Sequence, residues 1–515
     1  MQNKDATDTR KKFKMDGVVF PTPLYAYQAV GVWEMIKREY MALHDQQGMG
    51  KAIQALYASH ALIKRGEVDA GLITCPSYLV DTWRDQIREH LPASTRVQVL
   101  AHKPREKRAW FKSVDYYIIN YELFGRTQVT WDSIRGLDYD AAWRMMRARR
   151  LAMICDESQY IANIEANTTQ AICSLGSRAA RRYTLTGTPV AEGPENIWSQ
   201  ALFLDGGALL GTSFPEFVRR YCITRQIKMR DAVVTKITGY RRLKELHRKV
   251  DSISLRRTKE QYQKQLPQKL PRPMHPHPAP AQERLLKSIA ARLLSALEDG
   301  FIHGDSKRVG EAAAIRQEYQ RAAAIPELVD SSVKANAKLM LLEEYLKNYD
   351  GQCVVWVFHR DVGELLYARM QSRGYDVALV LGGMQKSTKR DILNDFAAGG
   401  TRNLIASVSA LSAGENRLRS AAYAFYYELA ESLLLWRQSQ DRLHRIGSKG
   451  QTTGAHAGMV VLDVPLLHKS MDSYVWDHIL KKGGNADIVT TGKRARDVAR
   501  LDVRSMIKYL RTVLE

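Results

Sequence analysis

Short apolar runs that alternate with helical patterns constrain the fold of this chain more than any other feature. They recur from about residue 25 to 225 and again from about 335 to 465, and they stand at 71–75, 116–119, 151–155, 183–186, 353–358, 377–381, 404–406 and 459–462. Strands that are apolar on both faces and separated by helices are typical of parallel sheets covered on both sides. The sequence therefore predicts an α/β protein with two tandem lobes, each built on a parallel sheet.

The stretch between the two blocks differs in composition. Six prolines fall within residues 267–280, which is poor material for helix or sheet and predicts an extended connector. A basic amphipathic stretch at 240–257 precedes it, and residues 281–340 are rich in helix-forming Ala, Leu, Arg and Glu. We therefore predict a polar extension (1–20), a first lobe (21–235), a linker with a helical insertion (236–335), a second lobe (336–465) and a C-terminal helical brace with a basic tail (466–515).

The charge balance indicates a polyanionic partner. Lys and Arg total 77 against 55 Asp and Glu, which gives a formal net charge of +22. An excess of this size is typical of proteins that bind nucleic acid. The 45% of hydrophobic residues argues against wholesale disorder.

Cysteine usage and hydropathy bear on the compartment. The five cysteines are widely spaced and form no Cys-x-x-Cys pair, which argues against a disulfide framework or a zinc finger. The N-terminus has no apolar signal core, and no run approaches the roughly 18 apolar residues of a membrane span. We expect a soluble protein with no membrane partner, in the cytoplasm of a bacterial or virus-infected cell, with a nuclear location left open.

A glycine-rich turn follows the apolar run at residues 40–43. Asp45 leads into Gly48, Met49, Gly50 and Lys51, and apolar residues then recur at helical spacing. Glycines let backbone N–H groups approach phosphates, the helix N-terminus favours negative charge, and a lysine can reach the terminal phosphates. The turn is a candidate phosphate loop, although a chance turn before a helix is as common when the motif stands alone.

The residue after the lysine departs from the phosphate-loop pattern. A Ser or Thr hydroxyl there binds Mg²⁺, but the chain has Ala52, with no hydroxyl residue within two positions. Three readings stay open: water takes the place of the hydroxyl, the site hydrolyses poorly, or the substitution inactivates it.

Adjacent carboxylates end a strongly apolar run. Asp156 and Glu157 follow residues 151–155, at the end of a strand where parallel sheets bind ligands. Asp156 is a candidate Mg²⁺ ligand, and Glu157 a candidate for orienting the attacking water. The alternative is a polar strand end with a helix cap, but a phosphate loop about 105 residues upstream favours the functional reading.

Two arginines in the second block stand three residues apart. Arg442 and Arg445 lie within the segment 438–447 and share a face if the segment is helical. Arginines supplied from a neighbouring lobe stabilise charge on a transferring phosphoryl group. The alternative, a solvated basic helix, is disfavoured by the Gln-x-x-Asp-Arg-x-x-Arg pattern.

Taken in order, these segments resemble the Swi/Snf-type double-stranded-DNA translocases of helicase superfamily two, over roughly residues 20–490. Residues 45–54 resemble the first motif, with Gln46 and Ala52 as departures. Residues 156–159 resemble the second, with Gln159 in place of His, and 185–189 match the third. The remaining matches are Ser77 with Trp83 (motif Ia), Gln28 (the upstream glutamine that reads adenine), 255–257 with 266–269 (the inter-lobe connector), 412–416 (motif V, with Glu415 replacing an apolar residue) and 438–447 (motif VI, followed by Ser448 where a Gln is usual).

The resemblance implies two RecA-like lobes that hydrolyse ATP with Mg²⁺ at Asp156 and act on duplex DNA. It implies catalytic roles for Lys51, Asp156, Glu157, Arg442 and Arg445. It implies ATP contacts by Gln28, Asp45, Gly48, Met49, Gly50, Lys51, Ala52 and Gln438, and DNA contacts by Ser77, Thr188 and Asn416.

Three functions remain open from the sequence. The first is an ATP-driven translocase or remodeller of duplex DNA. The second, motivated by Ala52, Gln159 and Glu415, is a nucleotide-gated DNA-binding module with weak or no hydrolysis. The third is a strand-separating helicase. Protein partners are not indicated, and three basic clusters are weak candidates for DNA contact: Arg144, Arg147, Arg149 and Arg150; Arg178, Arg181 and Arg182; and Lys493, Arg494 and Arg496.

Overall fold

The chain folds into two compact units. The computed structural model describes residues 11–100, 113–125, 128–129, 134–135, 137–228, 233–262, 266–301, 306–411, 417–444, 448, 450–451, 456–492 and 503–515. The first unit comprises Met1–Cys222, Arg241–Lys264 and Asn485–Ala495, and the second comprises Ile223–Tyr240, Gln265–Gly484 and Arg496–Glu515. The domain boundaries drawn from composition stay predictions.

Strands and helices alternate through the N-terminal half. In chain order they are β1 (Lys14–Met15), β2 (Val18–Val19), α1 (Ala26–Lys37), β3 (Tyr40–Leu43), α2 (Lys51–Lys64), β4 (Ala70–Cys75), α3 (Val80–His90), β5 (Val97–Val99), β6 (Tyr116–Asn120), β7 (Gln128–Val129), β8 (Ile134–Arg135), α4 (Leu137–Ala148), β9 (Leu151–Asp156), α5 (Asn167–Gly176), β10 (Arg181–Leu185), α6 (Asn196–Asp205), α7 (Phe214–Tyr221), β11 (Cys222–Lys228), β12 (Val233–Tyr240), α8 (Leu243–Ile253), β13 (Ser254–Leu255) and α9 (Lys259–Tyr262).

The same alternation continues to the C-terminus. The elements are β14 (Gln268–Met274), α10 (Pro280–Phe301), α11 (Ser306–Ala324), α12 (Ala337–Lys347), β15 (Cys353–Val357), α13 (Arg360–Ser372), β16 (Val377–Val380), α14 (Lys386–Ala398), β17 (Asn403–Ser407), β18 (Tyr423–Tyr426), α15 (Leu433–Leu443), β19 (Met459–Pro465), α16 (Met471–Thr491) and α17 (Val503–Leu514).

The first unit is built on a seven-stranded sheet. Its order is β13-β3-β10-β9-β4-β6-β5, and every neighbouring pair is parallel. All six residues of β4 are buried, as expected for a central strand covered on both faces. The edge strand β13 follows α8 in the chain and aligns Leu255 with Leu43 of β3. The residues after β13 therefore lie beside the residues after β3.

The second unit is built on a six-stranded sheet. Its order is β14-β19-β18-β15-β17-β16, again with every neighbouring pair parallel. All five residues of β15 are buried. The prediction of two α/β lobes with parallel sheets is confirmed, and each apolar run singled out in the sequence contains most of one strand.

The proline-rich segment forms a strand, so the prediction that it is unsuited to a sheet is wrong. β14 pairs with β19 from Gln268 opposite Met459 to Met274 opposite Pro465. Pro271 and Pro273 are two residues apart, so their missing N–H groups fall on the same side of β14. Because β14 is an edge strand, that side has no neighbouring strand to bond, and the prolines cost no ladder hydrogen bond.

Helices beyond the second sheet form a separate apolar core. Leu286 and Leu293 of α10 pack with Tyr319 of α11 and Leu510 of α17, and all four side chains are buried. The helices predicted within 281–340 and at the C-terminus are thereby confirmed. Within the described ranges, no helix is both long enough and apolar enough to cross a bilayer.

Candidate functional site at the carboxyl edge of the first sheet

The glycine-rich turn links β3 to α2 and has the backbone that its glycines permit. Gly48 and Gly50 have φ angles of +82° and +76°, in the left-handed region that L side chains rarely adopt. A Cβ atom on Gly50 would lie 2.3 Å from Nε2 of Gln28. Helix α2 begins at Lys51, directly after the turn. The predicted order of strand, glycine turn and helix is present.

Gln28 holds this turn from α1. Its Nε2 donates to the carbonyl of Met49 at 3.1 Å, and its Oε1 accepts from the backbone N–H of Tyr25 at 3.0 Å. The hydroxyl of Tyr27 donates to the same Met49 carbonyl at 3.2 Å. The side chain of Gln28 is buried and both ends of its amide are bonded within the protein. Its predicted contact with adenine stays a prediction.

Asp45 forms a buried ion pair that sequence analysis missed. Its Oδ1 accepts from Nε of Arg257 at 2.8 Å, and its Oδ2 accepts from Gln54 at 3.1 Å. The carboxylate is fully buried and the Arg257 side chain is 5% exposed. Lys51 donates its Nζ to the Asp45 carbonyl at 2.9 Å. Through its carboxylate and its carbonyl, Asp45 therefore fixes the position of the glycine turn.

Two features of the structure explain the position of Arg257. A buried carboxylate needs a cation, and the strand pairing of β13 with β3 puts the residues after the two strands side by side. The pairing of a two-residue strand was not readable from the sequence, and residues 255–257 were assigned to the connector alone. Gln46, a departure from the family pattern, adds a second link there, because its Oε1 accepts from the N–H of Lys259 at 2.9 Å.

Asp156 lies at the carboxyl end of β9, held by two hydrogen bonds. Its Oδ2 accepts from the indole N–H of Trp83 at 2.8 Å, and its Oδ1 accepts from the backbone N–H of Glu157 at 2.9 Å. Burial, and then the neighbouring charge of Glu157, raises the pKa of Asp156, while the Trp83 bond and the charge of Lys51 oppose the rise. Because desolvation and a neighbouring carboxylate both disfavour its negative charge, Asp156 would be stabilised by a bound cation.

Glu157 is connected to the third motif through Gln159. Glu157 adopts the left-handed backbone region with φ of +49°, and its Oε2 accepts from Nε2 of Gln159 at 2.7 Å. The other end of the Gln159 amide accepts from the hydroxyl of Thr186 at 2.7 Å. Thr186 in turn accepts from the backbone N–H of Thr188 at 3.0 Å. Gln159, flagged as a departure from the family's His, therefore bridges the second and third motifs.

The other predicted residues of this lobe differ in their surroundings. Ala52 is the second residue of α2 and half-buried. Ser77 is exposed after β4, and its backbone N–H donates to the Glu122 carboxylate at 3.2 Å. The Thr188 side chain is buried, at 2% exposure. The DNA contacts of Ser77 and Thr188 stay predictions.

The predicted residues of the second lobe fall partly on α15. Arg442 is buried there and donates from Nη2 to the carbonyl of Leu411 at 3.0 Å, and Gln438 is buried one turn earlier. Arg445, Asn416 and the rest of the motif V segment lie outside the described residues. The roles of these four groups stay predictions.

Two of the three basic clusters lie at the opposite edge of the first sheet. Arg150 precedes β9 and pairs with Asp69 at 3.1 Å, and Arg181 begins β10 and pairs with Glu67 at 2.7 Å. These carboxylates neutralise part of the positive charge of the two clusters. The third cluster (Lys493, Arg494 and Arg496) lies outside the described residues.

Comparison with known proteins gives two family matches. The model of the SNF2-related domain matches residues 27–320, and the model of the helicase conserved C-terminal domain matches residues 337–447. The first match alone covers more than half of the chain.

Individual relatives are more distant. The DNA repair and recombination protein RAD54B of Gallus gallus is 27% identical over 55% of this chain and 30% of its own length. The SWI/SNF-related matrix-associated actin-dependent regulator of chromatin subfamily A-like protein 1 of Xenopus laevis is 24% identical over 89% of this chain and 43% of its own length. This chain thus spans less than half of either relative. The SWI2/SNF2 ATPase core of Sulfolobus solfataricus, solved with double-stranded DNA, is similar at 20% identity, covers 92% of this chain and 94% of its own, and has a TM-score of 0.39.

Proposed function

Because this chain belongs to the SNF2-related family, we propose that it hydrolyses ATP when stimulated by duplex DNA and uses the free energy to move along or remodel that DNA. One observation carries the proposal. The segments after β3, β10, β9 and β4 hold four family motifs, and these strands are consecutive neighbours in one parallel sheet. Ligands of such sheets bind at the carboxyl ends of the strands, where these motifs meet.

The turn suits the triphosphate of ATP as substrate. Backbone N–H groups at the start of α2, together with the ammonium of Lys51, offer donors and positive charge to the phosphates. A side chain at Gly50 would collide with the amide of Gln28, so the glycine lets α1 support the turn at close range. Gln28, Asp45, Gly48, Met49 and Ala52 complete the proposed contacts, with Gln438 from the second lobe.

Asp156 is the proposed protein ligand for Mg²⁺. Among the described residues there is no cluster of three or more metal-ligating side chains, so water and the phosphates must complete an octahedral shell. When bound, Mg²⁺ neutralises charge on the phosphates. The oxygen chemistry of Asp156 fits this ion, and Ala52 withholds the usual second protein oxygen.

Glu157 is the proposed residue that orients and polarises the attacking water. Its carboxylate is fixed by Gln159, which limits the positions that the water can take. Arg442 and Arg445 are proposed to stabilise charge on the transferring phosphoryl group, which makes hydrolysis depend on the second lobe. Ser77, Thr188 and Asn416 are the proposed DNA contacts within the motifs.

Ala52 favours a second candidate, a DNA-binding module that nucleotide switches without appreciable hydrolysis. It binds ATP by the same turn and differs only in turnover. Strand separation is a third possibility within the same enzyme class and is tested by displacement of a labelled strand.

Steady-state ATPase activity with Mg²⁺, measured with and without duplex DNA beside an Ala52→Thr variant, separates the first two candidates. DNA-stimulated turnover by the unmodified chain supports the translocase. Turnover only in Ala52→Thr supports the nucleotide-gated module. If both proteins are inactive while binding DNA, the ATPase proposal is wrong.

A further inference from the structure

A basic pocket lies on the first lobe between α7 and α8. Its volume is about 450 Å³. Five cationic side chains contribute to its lining: Arg219, Arg220, Arg241, Arg242 and Lys249. None of them belongs to a motif that the proposed ATPase uses.

Two of these cations are held by neutral partners. Arg241 donates to the backbone carbonyl of Arg219, and Lys249 donates from Nζ to the carbonyl of Leu209 at 2.9 Å. A carbonyl orients a cation without cancelling its charge. This differs from Arg150 and Arg181, whose partners are carboxylates.

The acidic groups nearby neutralise only part of the charge. Glu245 pairs with Arg220 at 2.7 Å and accepts the hydroxyl of Tyr221 at 2.8 Å. Glu216 approaches Arg219 only to 3.8 Å, and both side chains are at least 70% exposed, so this pair contributes little. The five cationic side chains therefore outnumber these two carboxylates, and the pocket keeps a net positive charge.

The start of α8 adds to this potential. Arg242 is the N-cap residue, in the left-handed region with φ of +54°, and its side chain makes no capping bond to the helix. The 11 residues of α8 carry a partial positive charge at this end. A ligand in the pocket thus meets guanidinium groups beside a helix N-terminus.

The pocket is separate from the phosphate turn. The carbonyl of Ser252, near the end of α8, accepts from Arg38 at 3.3 Å, and Arg38 stands just before β3. This end of α8, one turn beyond Lys249, therefore lies at the amino edge of the first sheet. The phosphate turn lies at the carboxyl edge, and no residue that lines the pocket belongs to that turn, so the two sites can be tested independently.

We propose that this pocket binds a phosphate group of a nucleic-acid backbone. Arginine offers a planar fork of donors that matches phosphate oxygens, and contacts of this kind add affinity without reading sequence. The inference rests on the proposed function, because it takes DNA as the partner. It adds a contact made by residues outside the ATPase motifs.

The test is the salt dependence of duplex-DNA binding by an Arg241→Gln/Arg242→Gln variant. Its matched control is Lys12→Gln/Lys14→Gln, which removes the same charge from exposed positions in and beside β1 of the same unit. Fluorescence anisotropy at several salt concentrations gives the slope of log affinity against log salt, and each lost phosphate contact lowers the slope by about 0.9. We expect a drop of about 1–2 for the pocket variant, none for the control, and unchanged ATPase activity without DNA for both.

A further variant tests whether a lower slope could come from misfolding, and a small ligand tests whether the bound phosphate belongs to DNA. Arg219→Gln changes a side chain that is 75% exposed, so it should fold normally and still lower the slope by about 1. Equal slopes for the pocket and control variants would overturn the inference while leaving the proposed function intact. Tight binding of inorganic pyrophosphate that the pocket variant loses, with DNA slopes unchanged, would overturn it in favour of a small phosphate ligand. If the unmodified chain binds no duplex DNA at any salt concentration, the proposed function fails as well.

Discussion

Both lobes are built on parallel sheets, but the carboxylates at the carboxyl edges of the two sheets differ in their hydrogen-bond donors and in the charges beside them. At the end of β9, Asp156 is half-buried beside a second carboxylate, and desolvation and this neighbouring charge both raise its pKa. After β18, Glu428 accepts from the backbone N–H groups of Phe358 and His359, each at 2.9 Å, and from the His359 ring at 2.7 Å.

This difference distinguishes carboxylates that are proposed to act in catalysis from a carboxylate that stabilises the fold. Glu428 has three donors within its own lobe, so it stabilises the loop after β15 and has little need of a ligand. Half-buried Asp156 and buried Glu157 repel each other, and a bound cation would relieve this repulsion. Strand ends in equivalent places therefore serve different purposes, and the number of internal donors distinguishes them.

Substituting the acids one lobe at a time tests this distinction most strongly. Glu157→Gln should lower DNA-stimulated kcat by about 10²–10⁴-fold, because it removes the group that polarises water, while ATP binding persists. Glu428→Gln, the matched change, should alter kcat little and cost about 1–3 kcal/mol of stability. ATPase assays with equilibrium nucleotide binding measure the first effect and urea unfolding the second. Equal kcat values for Glu157→Gln and the unmodified chain would refute the assignment of Glu157.

The buried ion pairs offer a second comparison. Arg257→Leu leaves the fully buried Asp45 without its cation and should cost about 3–5 kcal/mol. Arg272→Leu should cost less, because Arg272 is 29% exposed and its partner Asp463 keeps the hydroxyl of Tyr423 at 2.7 Å. Urea unfolding of both variants gives the ranking. The reverse order would show that the turn does not depend on Arg257.

Acid should destabilise the first lobe through two buried histidines. Burial lowers the pKa of His44 to about 3 and that of His60 to about 4. Both stay neutral in the fold, whereas in the unfolded chain they bind protons below about pH 6.5. Their contribution is therefore complete above that pH and is lost as the pH falls, by about 2 kcal/mol each at pH 5.

Unfolding measured from pH 8 to pH 5 checks this expectation. In the His60→Leu variant, the loss of unfolding free energy between pH 8 and pH 5 should be smaller by about half of the contribution expected from the two histidines together. His275→Leu, at an exposed position of the second unit, should leave it unchanged. A profile for His60→Leu as steep as that of the unmodified chain would contradict the argument.

The smallest expected effect concerns Gln159. Gln159→Ala removes the bridge from Glu157 to Thr186 and should lower kcat by about tenfold or less, the loss of one charge-assisted hydrogen bond. Gln159→His should restore part of the activity, since an imidazole can donate to Glu157. Gln371→Ala is the matched change in the second lobe, where the exposed Gln371 donates to Tyr367 at 2.7 Å, and should leave kcat within twofold or so.

The core of each lobe could be predicted from sequence because its strands are continuous apolar runs. β4 was expected at 71–75 and spans Ala70–Cys75, and β15 was expected to begin at Cys353, where it does. Burial on both faces leaves a signal that needs no knowledge of neighbours.

The elements at the sheet edges could not be predicted in this way. β14 contains three polar residues and two prolines, and only its edge position makes it a strand. The two residues of β13 are too few for any periodicity. Lys51, Asp156 and Glu157 were identified from motifs, but Arg257 was missed as the partner of Asp45, because the contact depends on the pairing of that short strand.

The pairing of Asp45 with Arg257 also sets an order of events during synthesis. The two residues are 212 positions apart, so Asp45 leaves the ribosome about 10–40 s before its partner at common elongation rates. Until Arg257 has been synthesised, Asp45 lacks its buried cation, and β3 lacks its neighbouring strand β13. The glycine turn therefore cannot complete its native contacts until translation has passed Arg257, well after β4, β9 and β10.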